Sequence, residues 1–400
     1  MEVSHGACGG NRRRFLKTAT AAGAALATVE PSFGAQAAAP PAVPTVTLGK
    51  TGQAVTKLGM GTSWSLAPSF VQTALYSGVR YIDTSETYEN GGSETVVGEV
   101  LERTKLRKEV YLVTKCKVGR GANGAGGAGV FEEHLNASLK RLRTDYADCY
   151  YIHGIEGRQI GMLRDPAVKA AFEGLKKAGK IRFAGLSCHD AMLPEILEVV
   201  AEVGWLDQVM LKYNFREVDH DKLQRALDKL AKANVGLVAM KTQGGAANFP
   251  QKMAGLIEKG FKKEVAAIKT VWMDDRMQVV VSEMVNRSDL RENVAASRDP
   301  LSPKEARLLE EHRRATANLY CHGCGHLCET AAKGVPVATV LRYLRYYEVY
   351  GKRQEARALY QALPPIARVV ASANLLAAEA ACPHGLPVAD LIRTADRRLS

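Results

Sequence analysis

Apart from an alanine-rich run near the N-terminus, no stretch of this 400-residue chain approaches the length of apolar sequence that a membrane-spanning helix needs. Stable membrane insertion is therefore not expected. Blocks of like charge are also missing. Lys and Arg total 54 against 42 Asp and Glu, a formal net charge of +12, but the basic residues are scattered along the chain. That distribution describes a solvated surface and not a nucleic-acid-binding face. The densest basic patch, RYLRYYEVYGKRQEAR (342–357), interleaves arginine and tyrosine as an RNA-binding surface would. Val340, Leu341, Leu344 and Tyr347 recur through it at helical spacing, so it reads as a packed helix. No nucleic-acid partner is expected. Strand signals are absent beyond Pro300, which divides the chain into two unlike parts.

The first feature present is NRRRFLKTATAAGAALA, starting at Asn11. Consecutive arginines, Phe15-Leu16-Lys17 and a weakly apolar run make a twin-arginine export signal over residues 1–37, with Ala35-Gln36-Ala37 as the cleavage region. A Pro/Ala linker, 38–45, follows. This predicts recognition by the twin-arginine export machinery and a periplasmic location. The route carries folded proteins, so something in the remaining chain requires assembly before export.

Between residues 55 and 281, short β-branched runs alternate with amphipathic stretches. The candidate strands are KLGMGTSW, RYIDTS, VYLVTK, DCYYIHG, RFAGLSCH, QVMLKYNF, VGLVAMKT and QVVVSEM. Eight strands alternating with helices predict a closed (β/α)8 TIM barrel over 46–300, with an open doubly wound sheet as the competing architecture. Chemistry in a barrel sits at the C-terminal ends of strands, which singles out Asp83, Lys115, His153, Ser187, Asn214 and Lys241. Tyr88 follows Asp83 in DTSETY. A free tyrosine titrates near pH 10; an adjacent ammonium lowers that value, and a carboxylate behind the lysine holds it charged. Tyr88, Lys115 and Asp83 thus form a relay able to protonate a carbonyl oxygen, with His153 orienting that oxygen. Hydride, which no side chain supplies, implies a nicotinamide cofactor. GAGGAG (124–129) matches a dinucleotide fingerprint but falls about nine residues past its strand, outside the tight first turn that the fingerprint requires, and reads as a mouth loop.

GMGT, YIDTSETYENGGSETVVGEVL, VTK, SLKRLRTDYADCYYIH, GLS and YN together resemble the aldo-keto reductases across residues 46–298. The resemblance implies reduction of an aldehyde or ketone with NADP(H), or the reverse oxidation, with NAD(H) as the alternative cofactor. It makes Tyr88 the acid/base and Asp83, Lys115 and His153 its catalytic partners. For the cofactor it implies Ser187, Asn214, Lys241, Arg287, Arg291, Glu292 and Asn293. Departures accompany it. Cys188, not Asn, follows Ser187; Met210 stands where Gln is usual; the seventh strand ends in AMKT; and the Lys-Ser pair before NRSDLREN (286–293) is missing.

Residues 301–400 read as a helical domain. GVPVATVLR (334–342) and GLPVADLIR (385–393) are near copies, with Pro336 and Pro387 expected at first helical positions. Of eight cysteines, Cys8 belongs to the signal, and Cys116, Cys149 and Cys188 read as small buried hydrophobes. Cys321, Cys324, Cys328 and Cys382 remain. A bacterial ferredoxin half uses a close-spaced trio plus a Cys-Pro whose cysteine serves the other half's cluster. Here the first half keeps its trio and the second its Cys-Pro, leaving four ligands for one [4Fe–4S] cluster. The tail resembles the iron–sulfur, ferredoxin-like extension of one aldo-keto reductase branch. Zinc and two disulfides stay open as alternatives. A cluster built in the cytoplasm would explain the folded-protein export route, and it admits an electron-transfer partner protein. Three readings follow: an exported reductase, an exported redox-sensing or binding protein with a low-turnover barrel, and a zinc-stapled reductase.

Overall fold

The computed structural model describes residues 43–400 except 65, 119–128, 219, 246–260 and 325. The export segment, most of the linker and all but the last residue of GAGGAG lie outside the described residues.

All eight candidate strands form, as β3 (Leu58–Gly61), β4 (Tyr81–Asp83), β5 (Tyr111–Cys116), β6 (Ala147–Ile152), β7 (Ile181–Cys188), β8 (Gln208–Lys212), β9 (Gly236–Met240) and β10 (Val279–Ser282). They pair in sequence order, every pair parallel, and β10 closes on β3. The expected barrel is thus observed. Every residue of β5 and β6 is buried, because one face meets the barrel interior and the other the helical ring. Register places Asp83 beside Val113, and Lys115 beside Tyr151, so the polar ends of adjacent strands gather at one mouth.

The interior below that mouth is filled by tyrosines. Tyr81 stacks on Tyr111 at 5.3 Å, and the Tyr81 and Tyr151 hydroxyls lie 3.3 Å apart. Two glycines create the room. A Cβ at Gly185 would come within 2.4 Å of Tyr151, and one at Gly59 within 2.7 Å of Tyr81. An antiparallel hairpin not anticipated from the sequence, β1 (Thr45–Thr47) and β2 (Ala54–Thr56), carries Leu48 into the same apolar cluster. Its strands are three residues each, too short to show a period.

Around the barrel run α1 (Pro68–Tyr76), α2 (Gly92–Thr104), α3 (Gly129–Leu142), α4 (Pro166–Lys177), α5 (Leu193–Val203), α6 (Asp221–Lys232), α7 (Lys263–Val271) and α8 (Arg287–Ala296). α9 (Pro303–Ala315) opens on a Ser302/Glu305 capping box and packs through Leu309 on Ala266 and Ala267 of α7.

The remaining helices have their own core: α10 (His326–Ala331), α11 (Val337–Glu348), α12 (Arg353–Gln361), α13 (Leu375–Ala380) and α14 (Val388–Leu399). The internal repeat is visible as matched capping. Glu329 of α10 accepts from the Ala338 N–H at 2.9 Å, and Glu379 of α13 accepts from the Ala389 N–H at 3.0 Å. Pro336 and Pro387 occupy the N-cap, one residue earlier than expected. Each glutamate thereby satisfies a first-turn donor that the proline at the cap cannot. Among the described residues, no helix is long and apolar enough to cross a membrane.

Candidate active site

β4 ends at Asp83, and the chain then turns through Ser85 to Tyr88. Glu89, Asn90 and Gly91 follow with φ of 50°, 52° and 87°, a left-handed run that swings the chain from Tyr88 into α2. Lys115, at the end of β5, is almost fully buried. Its ammonium donates to Asp83 Oδ2 at 2.7 Å, to the Thr84 carbonyl at 2.7 Å and to the Tyr88 hydroxyl at 3.2 Å. His153 follows β6, and its ring meets Tyr88 edge-on at 5.6 Å between centroids. Its Nδ1 lies 2.9 Å from the Ser85 hydroxyl, which itself accepts from the Thr87 N–H. Ser85 is therefore placed to donate to Nδ1, leaving Nε2–H to face a ligand. The four expected catalytic residues form one group.

The electrostatics differ from expectation in one respect. Burial pushes the Tyr88 phenol well above its ordinary range, and the Asp83 and Glu283 carboxylates add to the shift. The net direction is thus upward, opposite to the lowering expected from an adjacent ammonium, because burial and the nearby carboxylates prevail. Burial likewise pushes the Asp83 carboxyl up and the Lys115 ammonium down, while their contact opposes both. Tyr88 is consequently a phenol, equipped to give a proton. Burial, then Lys115, Lys117 and Lys241, hold the His153 imidazole well below its usual range, so the ring is neutral.

These groups line a cavity of about 470 Å³. Its floor is apolar, with Gly61, Met210, Met240 and Val281. Its roof comes from the tail: Arg342 and Tyr346 of α11, Lys352, and Glu355 of α12. Lys352 donates to the Ser63 carbonyl at 3.1 Å and lies over the Trp64 ring at 5.0 Å, which fixes α12 to the β3 loop.

The other cofactor candidates take varied positions. Ser187 lines the cavity and accepts from the Gly154 N–H at 2.8 Å. Cys188 is buried on the outer face of β7, and Met210 is on the cavity floor, so neither departure position offers an amide. Asn214 is wholly buried, donating to the Lys241 carbonyl at 3.3 Å and accepting from the Arg216 N–H at 3.0 Å. Lys241 lines the cavity and donates to the Tyr346 hydroxyl at 3.2 Å. Arg287 and Arg291 are exposed on α8, Glu292 pairs with Lys262 at 2.7 Å, and Asn293 donates to Ser282 at 2.8 Å. None of these four lines the cavity; they lie on the helix that follows β10. The apolar floor suits a nicotinamide ring, and the cationic rim can meet an anion.

Sequence reasoning did not single out Arg342, Tyr346 or His189. The first two belong to the basic patch assigned to a packed helix. The usable signal was their i, i+4 spacing opposite the apolar positions 340, 341 and 344.

Cys116, Cys149 and Cys188 are buried in the barrel as expected. The four tail cysteines converge: Cys328 feels the other three thiols, and Cys321 feels Cys324 and Cys382. Burial, with those neighbours, pushes Cys321 up to about 11 and Cys328 up to about 12. No disulfide joins them. Among the described residues no three of the four sulfurs lie within 4.8 Å of one another. Lys212 donates to the His322 carbonyl at 2.6 Å, and its charge favours the thiolates of Cys321 and Cys324. Four convergent thiols fit a thiolate-ligated centre, and Lys212 beside them is itself paired with Glu217 at 2.8 Å.

Fold and site together define a closed (β/α)8 barrel with a hydrogen-bonded tyrosine–lysine–aspartate chain and a neutral histidine at its C-terminal mouth. The aldo/keto reductase family model matches residues 56–314, and the chain belongs to that family. The methylglyoxal reductase YeaE of Escherichia coli (strain K12) is 36% identical over 148 residues, 36% of this chain and 48% of that protein. The aldo-keto reductase YhdN of Bacillus subtilis (strain 168) is 30% identical over 201 residues, 44% of this chain and 56% of that protein. This chain spans about half the length of the curated relatives it matches. Among solved structures, the holo form of aldo-keto reductase AKR11C1 from Bacillus halodurans gives a TM-score of 0.54 at 22% identity, covering 67% of this chain and 96% of that one. An aldo/keto reductase from Klebsiella pneumoniae in complex with NADP and acetate gives 0.53 at 23% identity, covering 67% and 94%. At these identities the likeness is one of fold.

Proposed function

We propose that this chain is an NADP(H)-dependent oxidoreductase that reduces an aldehyde or ketone, or oxidises the corresponding alcohol. The observation carrying this reading is the buried contact of Lys115 with both Asp83 and Tyr88 beside a neutral His153. A nicotinamide, when bound, supplies hydride. The residues of the chain do the rest. His153 Nε2–H orients the carbonyl oxygen, Tyr88 gives that oxygen its proton, and Lys115 then steadies the resulting phenolate while Asp83 keeps the ammonium in place. The apolar floor and the tail roof keep water from the reacting carbon.

In the same reading, Cys321, Cys324, Cys328 and Cys382 hold one [4Fe–4S] cluster, and the twin-arginine segment sends the loaded protein to the periplasm. The convergence of the four thiols beside Lys212 supports the first part, and the arginine-rich N-terminal sequence the second. A cluster opens the way to an electron-transfer partner. The second reading, a redox-sensing or binding protein with slow turnover, draws on Cys188 and Met210, which leave the carboxamide without the usual amide partners.

Tyr88→Phe distinguishes the two. It removes the proton and leaves the packing, so a reductase loses about 10²–10⁴ in kcat while binding NADPH as before. Retention of the wild-type rate against a panel of aldehydes would exclude Tyr88 as the acid.

A further inference from the structure

The catalytic cavity is rimmed by charge, and most of it is internally matched. Asp83 is paired with Lys115, Glu355 with Lys352 and Glu156 with Arg158, while Glu283 accepts from Ser63 and Trp64. Two cations differ. Among the described residues, neither Arg342 nor Lys241 has a carboxylate within 4.0 Å. The Arg342 guanidinium meets the His189 ring at 3.1 Å and the His189 carbonyl at 3.4 Å, and its Nε is buried without a partner. Lys241 sits directly after β9 with φ 55°, a left-handed conformation that a non-glycine residue adopts at some cost. That backbone brings its ammonium to the Tyr346 hydroxyl of the tail. Burial acts to raise the Tyr346 phenol, but Lys241 and Arg342 outweigh it and hold the phenol below its ordinary value. Arg342 and Lys241 stand half-buried on one wall, and the Tyr346 oxygen that both face helps to hold them charged against the cost of burial. The wall thus offers two positive charges with no carboxylate in contact, which suits an anionic ligand.

We propose that Arg342, Lys241 and the Tyr346 hydroxyl form an anion subsite that receives the carboxylate or phosphate of an acidic aldehyde or ketone whose carbonyl lies at Tyr88 and His153. This rests on the reductase reading and narrows its substrates to acid-bearing carbonyl compounds. The tail thereby determines specificity. The same chemistry would hold the diphosphate of the nucleotide, and the experiment separates the two sources.

Full-length protein is assayed with NADPH and a matched pair of probes, 4-carboxybenzaldehyde and 4-methylbenzaldehyde, as wild type, Arg342→Gln and Arg342→Lys. Loss of a charge-assisted contact predicts that Arg342→Gln lowers the acid-over-neutral ratio of kcat/KM by about 10–100-fold, through KM. Arg342→Lys restores part of it, and the Kd for NADPH moves less than about threefold. An unchanged ratio overturns the subsite. So does a tenfold rise in the Kd for NADPH with the ratio unchanged, which assigns the anion to the nucleotide. If wild type reduces neither aldehyde, the reductase reading fails separately. Calorimetric binding of terephthalate then decides: weakening by Arg342→Gln upholds the subsite, and equal binding, or none, overturns it.

Discussion

Replacing Lys115 by Met tests whether the relay is one coupled unit. The Lys115 side chain is 1% exposed and that of Asp83 4%. Removing the ammonium deletes three donated bonds and leaves an almost wholly buried carboxylate without its cation. Breaking one side of a buried ion pair costs about 3–5 kcal/mol. Burial already pushes the Asp83 carboxyl up, so without its partner it takes a proton and recovers part of that cost. Lys115→Met is therefore expected to lower unfolding free energy by about 3 kcal/mol at neutral pH, near the lower end of that range. Asp83→Asn combined with Lys115→Met removes both charges, and most of the lost stability should return, because a neutral pair of similar volume is often as stable as the ion pair. Activity should not return, since Tyr88 still lacks its cation; a fall of about 10²–10⁴ in kcat is expected in both variants. Urea unfolding measures the first quantity and oxidation of NADPH the second. A single variant as stable as wild type, or a double variant that recovers turnover, would refute the reasoning.

Because reduction needs Tyr88 protonated and His153 neutral, their shifts set the pH profile. His153 lies well below 6.5 and Tyr88 well above 10, so both forms persist between these limits. The expected kcat/KM is flat from about pH 6.5 to 10; a limb centred between 7 and 9 would show that another group controls the rate. Gly98→Ala, in α2, would place a Cβ 2.4 Å from the Arg141 carbonyl oxygen and 2.7 Å from Leu142 backbone. Its overpacking cost of about 1–3 kcal/mol should exceed the helix-propensity gain of about 1 kcal/mol, seen as a lower urea midpoint. Protein purified without oxygen should be brown with about four irons per chain, and Cys324→Ser should lose most of them; zinc in place of iron would displace the cluster.

The barrel was legible because each strand is a short β-branched run followed by a helical period, a signal that survives in a single sequence. The relay was legible because DTSETY, VTK and YIH end consecutive strands. Other features depend on distance. The Tyr88 shift comes first from burial and then from the Asp83 and Glu283 carboxylates, which no spacing reports. The partnership of Lys241 with Tyr346 joins positions 105 residues apart. Leu48 reaches the barrel interior from strands too short to carry a pattern. Arg342 and Tyr346 were visible as residues, but a helix packed on both faces gives no sign of which polar side chain meets a ligand.

The roof over the relay and the four cysteines belong to one helical domain and share its core. A deletion at the junction after α9 would not yield a smaller version of the same molecule: it would remove one wall of the pocket together with Arg342 and Tyr346. The appendage and the selectivity of the barrel are thus inherited as a pair, and exchange of the tail between relatives would redraw which molecules the barrel accepts.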